Sequence, residues 1–107
     1  MGNNMKIRSK RNYDIFIKEY KPEKIDKIII ACHGFGGDKE SSAIEMLAKS
    51  LIKNNILVIA FDFPAHGESN VEGEEFTIEN CINDLISVEE FLEHQPYVWM
   101  KYLKILF

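Results

Sequence analysis

The fold of this 107-residue chain is decided by the stretch Ile28-Ile29-Ile30-Ala31-Cys32-His33-Gly34-Phe35-Gly36-Gly37, an apolar run that leads into a glycine-rich turn. The run lacks polar alternation, which indicates a strand covered on both faces, as in the middle of a parallel sheet. A second apolar run, Ile56 to Phe61, leads into the turn formers of Asp62-Phe63-Pro64-Ala65-His66-Gly67-Glu68-Ser69. With one helix between the runs, the unit is a βαβ crossover with a loop after each strand, and open α/β sheets build their sites in such loops.

The helix between the two runs is predicted from its apolar spacing. Ser41 or Ser42 is the expected cap at its amino terminus, and Asn54-Asn55 suits a left-handed stop. The face that should cover the sheet carries Ile44, Leu47, Ala48, Leu51 and Ile52.

The flanking segments extend the same sheet. Tyr13 to Tyr20 reads as a strand, and a shorter one is expected around Met5 to Arg8. Thr77 is predicted to cap a longer helix that ends near Gln95-Pro96, and Leu103 to Phe107 begins a third parallel strand. The apolar stripe of the longer helix is predicted to contain Ile78, Cys81, Ile82, Leu85, Val88 and Leu92.

Composition favours a single globular domain. Apolar residues make up 46% and charged residues 28% of the chain, as in ordinary globular proteins. The net charge of −4 does not favour binding to nucleic acid. No apolar stretch has the length of a signal peptide or a membrane span. The two cysteines, Cys32 and Cys81, form no Cys-x-x-Cys pair, so we expect no disulfide, metal site or cofactor, and a cytoplasmic location.

The order of elements resembles the amino-terminal half of the α/β-hydrolase fold, above all its esterase, lysophospholipase and serine-aminopeptidase-like members. Cinnamoyl and feruloyl esterase-like proteins are the most similar, since they combine a His-Gly-Phe-x-Gly turn, here His33 to Gly37, with an Ala-Phe-Asp-Phe strand end, here Ala60 to Phe63. The resemblance runs from about Tyr13 to Phe107. It implies that residues 1–107 are the amino-terminal portion of one α/β-hydrolase domain, with a mostly parallel sheet and antiparallel amino-terminal strands, truncated before the nucleophile elbow.

The resemblance also assigns roles to the two loops. The backbone N–H of Phe35 should form half of the oxyanion hole, which stabilises the charge of a tetrahedral intermediate. Ala65 stands where many relatives have glycine, which argues against a left-handed backbone there. The remaining assignments are support of the oxyanion turn by His33, Gly34, Gly36 and Gly37, and organisation of the second loop by Asp62, His66, Gly67 and Ser69.

The catalytic residues of such a hydrolase are expected beyond Phe107. The segment around Ser69, Gly67-Glu68-Ser69-Asn70-Val71, departs from Gly-x-Ser-x-Gly at its last position, so Ser69 is not the expected nucleophile. In this fold the nucleophile, the acid and the histidine follow in that order after the third parallel strand. The chain alone should therefore be inactive, although the full-length parent would act on a small-molecule ester. Relatives with an aspartate nucleophile remain an alternative.

Two other functions compete with this one. A dinucleotide-binding βαβ unit would need a small residue at Lys39 to complete Gly-x-Gly-x-x-Gly, and the sequence lacks it. A non-catalytic remnant or interaction module would use the unpaired side of the last strand, through which the chain could self-associate. The side chains expected at that edge are Tyr97, Val98, Trp99, Tyr102, Ile105 and Phe107.

Overall fold

The structure is a computed structural model that describes residues 2–96 and the backbone of residues 102–106. Four of the six residues predicted at the exposed edge, Tyr97, Val98, Trp99 and Phe107, lie outside the described residues. The elements are β1 (Asn3–Arg8), β2 (Asp14–Tyr20), β3 (Lys27–Cys32), α1 (Ser42–Ile52), β4 (Ile56–Phe61), a 3-10 helix (Gly73–Glu75), α2 (Ile78–Glu93) and β5 (Tyr102–Leu106).

In the described part of the chain the strands form one five-stranded sheet in the order β1-β2-β4-β3-β5. β1 and β2 are antiparallel to their neighbours, whereas β4, β3 and β5 run parallel. This confirms the predicted α/β sheet, with antiparallel strands at its amino-terminal side, and β5 pairs in parallel with β3. Because Cys32 lies opposite Phe61 in the register, the loops that begin at His33 and Asp62 leave the sheet side by side.

The two helices cover opposite faces of the sheet. α1 packs Ile44 and Ala48 against one face, in a cluster with Tyr20, Val58 and other residues of the central strands. α2 packs Val88 and Leu92 against the other face. Since successive side chains of a strand point to opposite faces, the apolar residues of β3, from Ile28 to Cys32, and those of β4 supply both clusters.

The termini of α1 are only partly as predicted. Ser41 is the residue at the amino-terminal cap, but its side chain makes no capping hydrogen bond. Asn55, just beyond the helix, has a φ of 62°, which confirms the left-handed stop. For α2, the Thr77 hydroxyl accepts a hydrogen bond from the Asn80 N–H at 3.1 Å, as a cap should.

The predicted apolar stripe of α2 is wrong at its amino-terminal end. Ile78 and Ile82 are 82% and 51% exposed, whereas Asn80 and Asp84 are buried. Asn80 and Asp84 are buried because both form hydrogen bonds. The Asn80 side chain donates to the Glu75 carbonyl at 2.7 Å, and the Asp84 carboxylate accepts from the Tyr13 hydroxyl. These hydrogen bonds rotate the first turns of the helix so that the amide and the carboxylate, not the isoleucines, face the sheet.

Asp84 and Tyr13 form a buried polar contact that ties α2 to the start of β2. The Tyr13 hydroxyl donates to the two carboxylate oxygens of Asp84, at 2.7 and 2.8 Å. Burial raises the pKa of Asp84 to about 6, although the hydrogen bond from Tyr13 favours the charged form. Burial and the adjacent carboxylate also raise the pKa of Tyr13.

No helix among the described residues has the length and apolarity needed to cross a membrane.

Replacing Asp84 by asparagine should change how stability depends on pH. Between the ordinary pKa of 3.8 and the raised value of about 6, the folded chain binds more protons than the unfolded chain, so this group lowers stability as pH rises. Above both pKa values, the loss of unfolding free energy caused by this group reaches ~3 kcal/mol. Asparagine does not titrate, so the variant should lack this loss. The free energy of unfolding of Asp84→Asn minus that of the wild type, measured by urea denaturation, should therefore increase between pH 4 and pH 7. A difference that stays constant over this range contradicts the assignment.

Candidate functional site

The first loop, residues 33–37, is a tight turn. The Gly37 N–H donates to the Gly34 carbonyl at 3.0 Å, and Gly36 has a φ of 80°, the combination found in a type II turn. Phe35 lies at the second position, with its side chain 88% exposed. Its N–H has no acceptor among the described residues.

His33 connects this turn to the second loop, residues 62–69. Its ring is buried, and Nε2 accepts a hydrogen bond from the Phe63 N–H at 3.0 Å. Nδ1 therefore carries the proton and donates to the Gly34 carbonyl at 2.7 Å. Burial lowers the pKa of His33, which keeps the ring in this neutral form.

His66 makes the corresponding connection from the second loop back to the turn. Its Nε2 accepts from the Gly36 N–H at 3.0 Å, and Nδ1 lies 3.0 Å from the Pro64 carbonyl. The ring centroids of His66 and His33 are 5.0 Å apart. Each loop thus contributes one imidazole that accepts a backbone N–H of the other loop.

A buried ion pair lies beneath the loops. Asp62 Oδ1 accepts the Lys39 N–H at 2.8 Å, and Oδ2 accepts both the Glu68 N–H at 2.9 Å and the Lys39 ammonium at 3.0 Å. The side chains of Asp62 and Lys39 are 0% and 1% exposed. Burial acts to lower the pKa of Lys39, but its hydrogen bonds to Glu68 and Asp62 outweigh burial and raise it.

Sequence reasoning missed Lys39 as part of this site. A lysine in a polar turn before a helix is usually solvated, and nothing in its neighbours along the chain marks it as buried. The one available signal was Asp62, because a buried carboxylate needs a counter-ion.

The backbone of the second loop is left-handed at two positions. Gly67 has a φ of 56°, and a Cβ there would collide with the Asp62 carboxylate. Ala65 has a φ of 67°, so the expectation that alanine would avoid this conformation is wrong. The Ala65 N–H donates to the Ser69 hydroxyl at 3.1 Å, and this contact within the loop stabilises the conformation.

An aromatic groove of about 440 Å³ opens beside the first turn. Phe35, His66 and Phe76 line it, with ring centroids between 4.4 and 5.8 Å apart. Among the residues that the structure describes, no three histidine, cysteine or acidic side chains are grouped as metal ligands would be. The site offers a backbone donor and an apolar groove, and it holds Ser69 in a structural hydrogen bond.

Gly67 and Gly36 provide a matched test of this geometry. Both have positive φ, but a Cβ at Gly36 meets nothing within 4 Å, whereas one at Gly67 meets Asp62. Gly36→Ala should cost only the left-handed strain, roughly 1–2 kcal/mol of unfolding free energy. Gly67→Ala should cost about 3–5 kcal/mol, since it also disturbs a buried ion pair. Equal losses in urea denaturation would show that Gly67 does not pack against the carboxylate.

Comparison with known proteins supports the fold through solved structures. No family model matches the sequence, and no curated protein matches it. Among solved structures, it is similar to an alpha-beta serine hydrolase homologue from Coxiella burnetii, with a TM-score of 0.82 and 20% identity over 98% of this chain and 51% of that one.

Two esterases match in the same way. One is from Pyrococcus furiosus, with a TM-score of 0.78 and 23% identity over 100% of this chain and 42% of that one. The other is a cold-adapted esterase from an Arctic intertidal metagenomic library, with a TM-score of 0.82 and 20% identity over 98% of this chain and 49% of that one. The chain spans about half of the length of these structures or less. It has the fold of the amino-terminal half of an α/β-hydrolase domain.

Proposed function

We propose that the chain is the amino-terminal part of a serine-dependent α/β hydrolase of carboxylic esters, and that Phe35 supplies one backbone donor of its oxyanion hole. The observation that carries the proposal is the Phe35 N–H, which has no acceptor among the described residues although hydrogen bonds hold the turn around it. A donor held in place before the reaction pays no reorganisation cost when an oxyanion forms.

The surroundings of Phe35 suit an ester of small size. Gly34 and Gly36 flank the donor, so no side chain on either neighbour obstructs a carbonyl oxygen that approaches the N–H. The open groove beside the donor presents the rings of Phe35 and Phe76 to an acyl or alcohol group, with His66 and Asp38 as its polar lining. Two of the similar solved structures are described as esterases.

The nucleophile, the acid and the catalytic histidine belong, in this proposal, to a segment beyond residue 107. His33 and His66 use Nε2 to accept backbone N–H groups, so neither ring is free to act as a base in this arrangement. The same proposal includes a cytoplasmic location, which the cysteine content favours.

The first experiment is to read the encoding DNA past codon 107 in all three frames. The proposal expects Gly-x-Ser-x-Gly immediately after β5. Absence of this motif from every frame would overturn it and leave a non-catalytic chain.

Two substitutions at Phe35 then test the donor in the full-length protein. Phe35→Pro removes the N–H, and proline is favoured at the second position of a type II turn. Phe35→Ala keeps the N–H and removes the ring. For p-nitrophenyl acetate, kcat/KM of Phe35→Pro should lie about 10²–10³-fold below that of Phe35→Ala. Equal values would contradict the assignment, as would serine-dependent turnover by the 107-residue chain alone.

Self-association is a second candidate activity, favoured by two exposed features. Among the described strands β5 pairs only with β3, so its other edge is unpaired there. On α2, Ile78, Ile82 and Ile86 follow one another at single-turn spacing and are 82%, 51% and 38% exposed. An open strand edge and an apolar helix face both favour association with another chain.

Sedimentation of the 107-residue chain tests this second activity. We expect dimers or larger species, and we expect Ile78→Glu/Ile82→Glu to shift them toward monomer. Met46→Glu is the matched control, because Met46 is 70% exposed but lies on α1, which covers the opposite face of the sheet. A wild-type monomer that unfolds cooperatively would contradict the prediction.

A further inference from the structure

The two histidines of the site form a reciprocal pair of hydrogen bonds between the loops. His33 of the first loop accepts the N–H of Phe63, and His66 of the second loop accepts the N–H of Gly36. Both bonds are 3.0 Å long and both use Nε2. We call this pair of contacts the histidine clasp.

The two halves of the clasp differ in their access to solvent. His33 is 2% exposed and packs its ring against Phe63. His66 is half-buried and lines the aromatic groove, with its ring 4.4 Å from that of Phe76.

The bond from Gly36 exists only while His66 Nε2 is unprotonated. A protonated imidazole has an N–H on each nitrogen and no acceptor, so Nε2–H would face the Gly36 N–H. Gly36 follows Phe35 directly and has the positive φ of the turn. The bond to His66 therefore restrains the peptide unit between Phe35 and Gly36, next to the Phe35 donor.

We infer that His66 is a positioning residue that holds the Phe35 N–H in place by accepting the N–H of Gly36. The inference rests on the proposed function for its catalytic consequence. The titratable groups around the ring are His33, 5.0 Å away between centroids, and Asp38, which lines the same groove. On the side of the 3-10 helix, the Glu75 carboxylate is paired with Arg11 at 2.9 Å. Asp62, in the loop that carries His66, is paired with Lys39.

Two variants separate the acceptor from the ring. His66→Gln places an amide oxygen near the position of Nε2 and does not titrate. His66→Phe keeps a ring for the contact with Phe76 and provides no acceptor. Solvent-exchange NMR on the 107-residue chain gives the protection factor of the Gly36 amide, with the Asp62 N–H, which donates to the Phe16 carbonyl, as an internal reference.

At pH 7, protection of the Gly36 amide should be about fivefold higher in the wild type than in His66→Phe, the equivalent of one ordinary hydrogen bond. His66→Gln, whose amide oxygen can accept the same N–H, should keep the wild-type protection, and the Asp62 amide should be equally protected in all three proteins. Equal protection of Gly36 in the wild type and His66→Phe overturns the inference. If His66→Phe fails to fold, a loss of Gly36 protection in a folded His66→Gln overturns it.

In the full-length enzyme, His66→Phe should lower kcat with little change in KM, and His66→Gln should restore it. A normal kcat in His66→Phe overturns the positioning role. If the exchange results hold but the full-length protein has no esterase activity, the clasp stands and the proposed function fails, so the two can be told apart.

Discussion

The arrangement of both loops depends on the buried ion pair between Lys39 and Asp62. An unpaired carboxylate in that position would cost several kcal/mol, so the chain must deliver a cation and hydrogen-bond donors to it. They come from both sides: the ammonium and N–H of Lys39 from the segment before α1, and the N–H of Glu68 from the loop after β4. The carboxylate therefore fixes the separation of two segments that are distant in sequence.

Other features of the site follow from that separation. Gly67 has to lack a side chain because the carboxylate occupies the space where its Cβ would lie. With the loops this close, backbone N–H groups of each come within reach of an imidazole of the other. The Phe35 side chain is 88% exposed, and its ring meets only those of His66 and Phe76 among the described aromatic contacts.

Most of the fold could be predicted from sequence because it rests on local patterns. The apolar runs of β3 and β4, the helix between them and the stop at Asn55 all follow from residue type and spacing. The orientation of α2 could not be predicted, because the contact between Tyr13 and Asp84 joins distant segments and overrides the apolar period. Lys39 was missed for the same reason. At Ala65 the loop imposes a backbone conformation against the preference of the residue.

The hydrogen bond between Tyr13 and Asp84 spans 71 positions of the chain. Arg11 and Glu75, which are 64 positions apart, are joined across the same side. β2 also pairs with β4, not with β3, its successor in sequence. During synthesis, β1 and β2 leave the ribosome before β4 and α2, the elements that they contact. Contacts between such distant segments slow folding. The amino-terminal strands therefore cannot pack against the rest of the sheet until β4 and α2 have been synthesised.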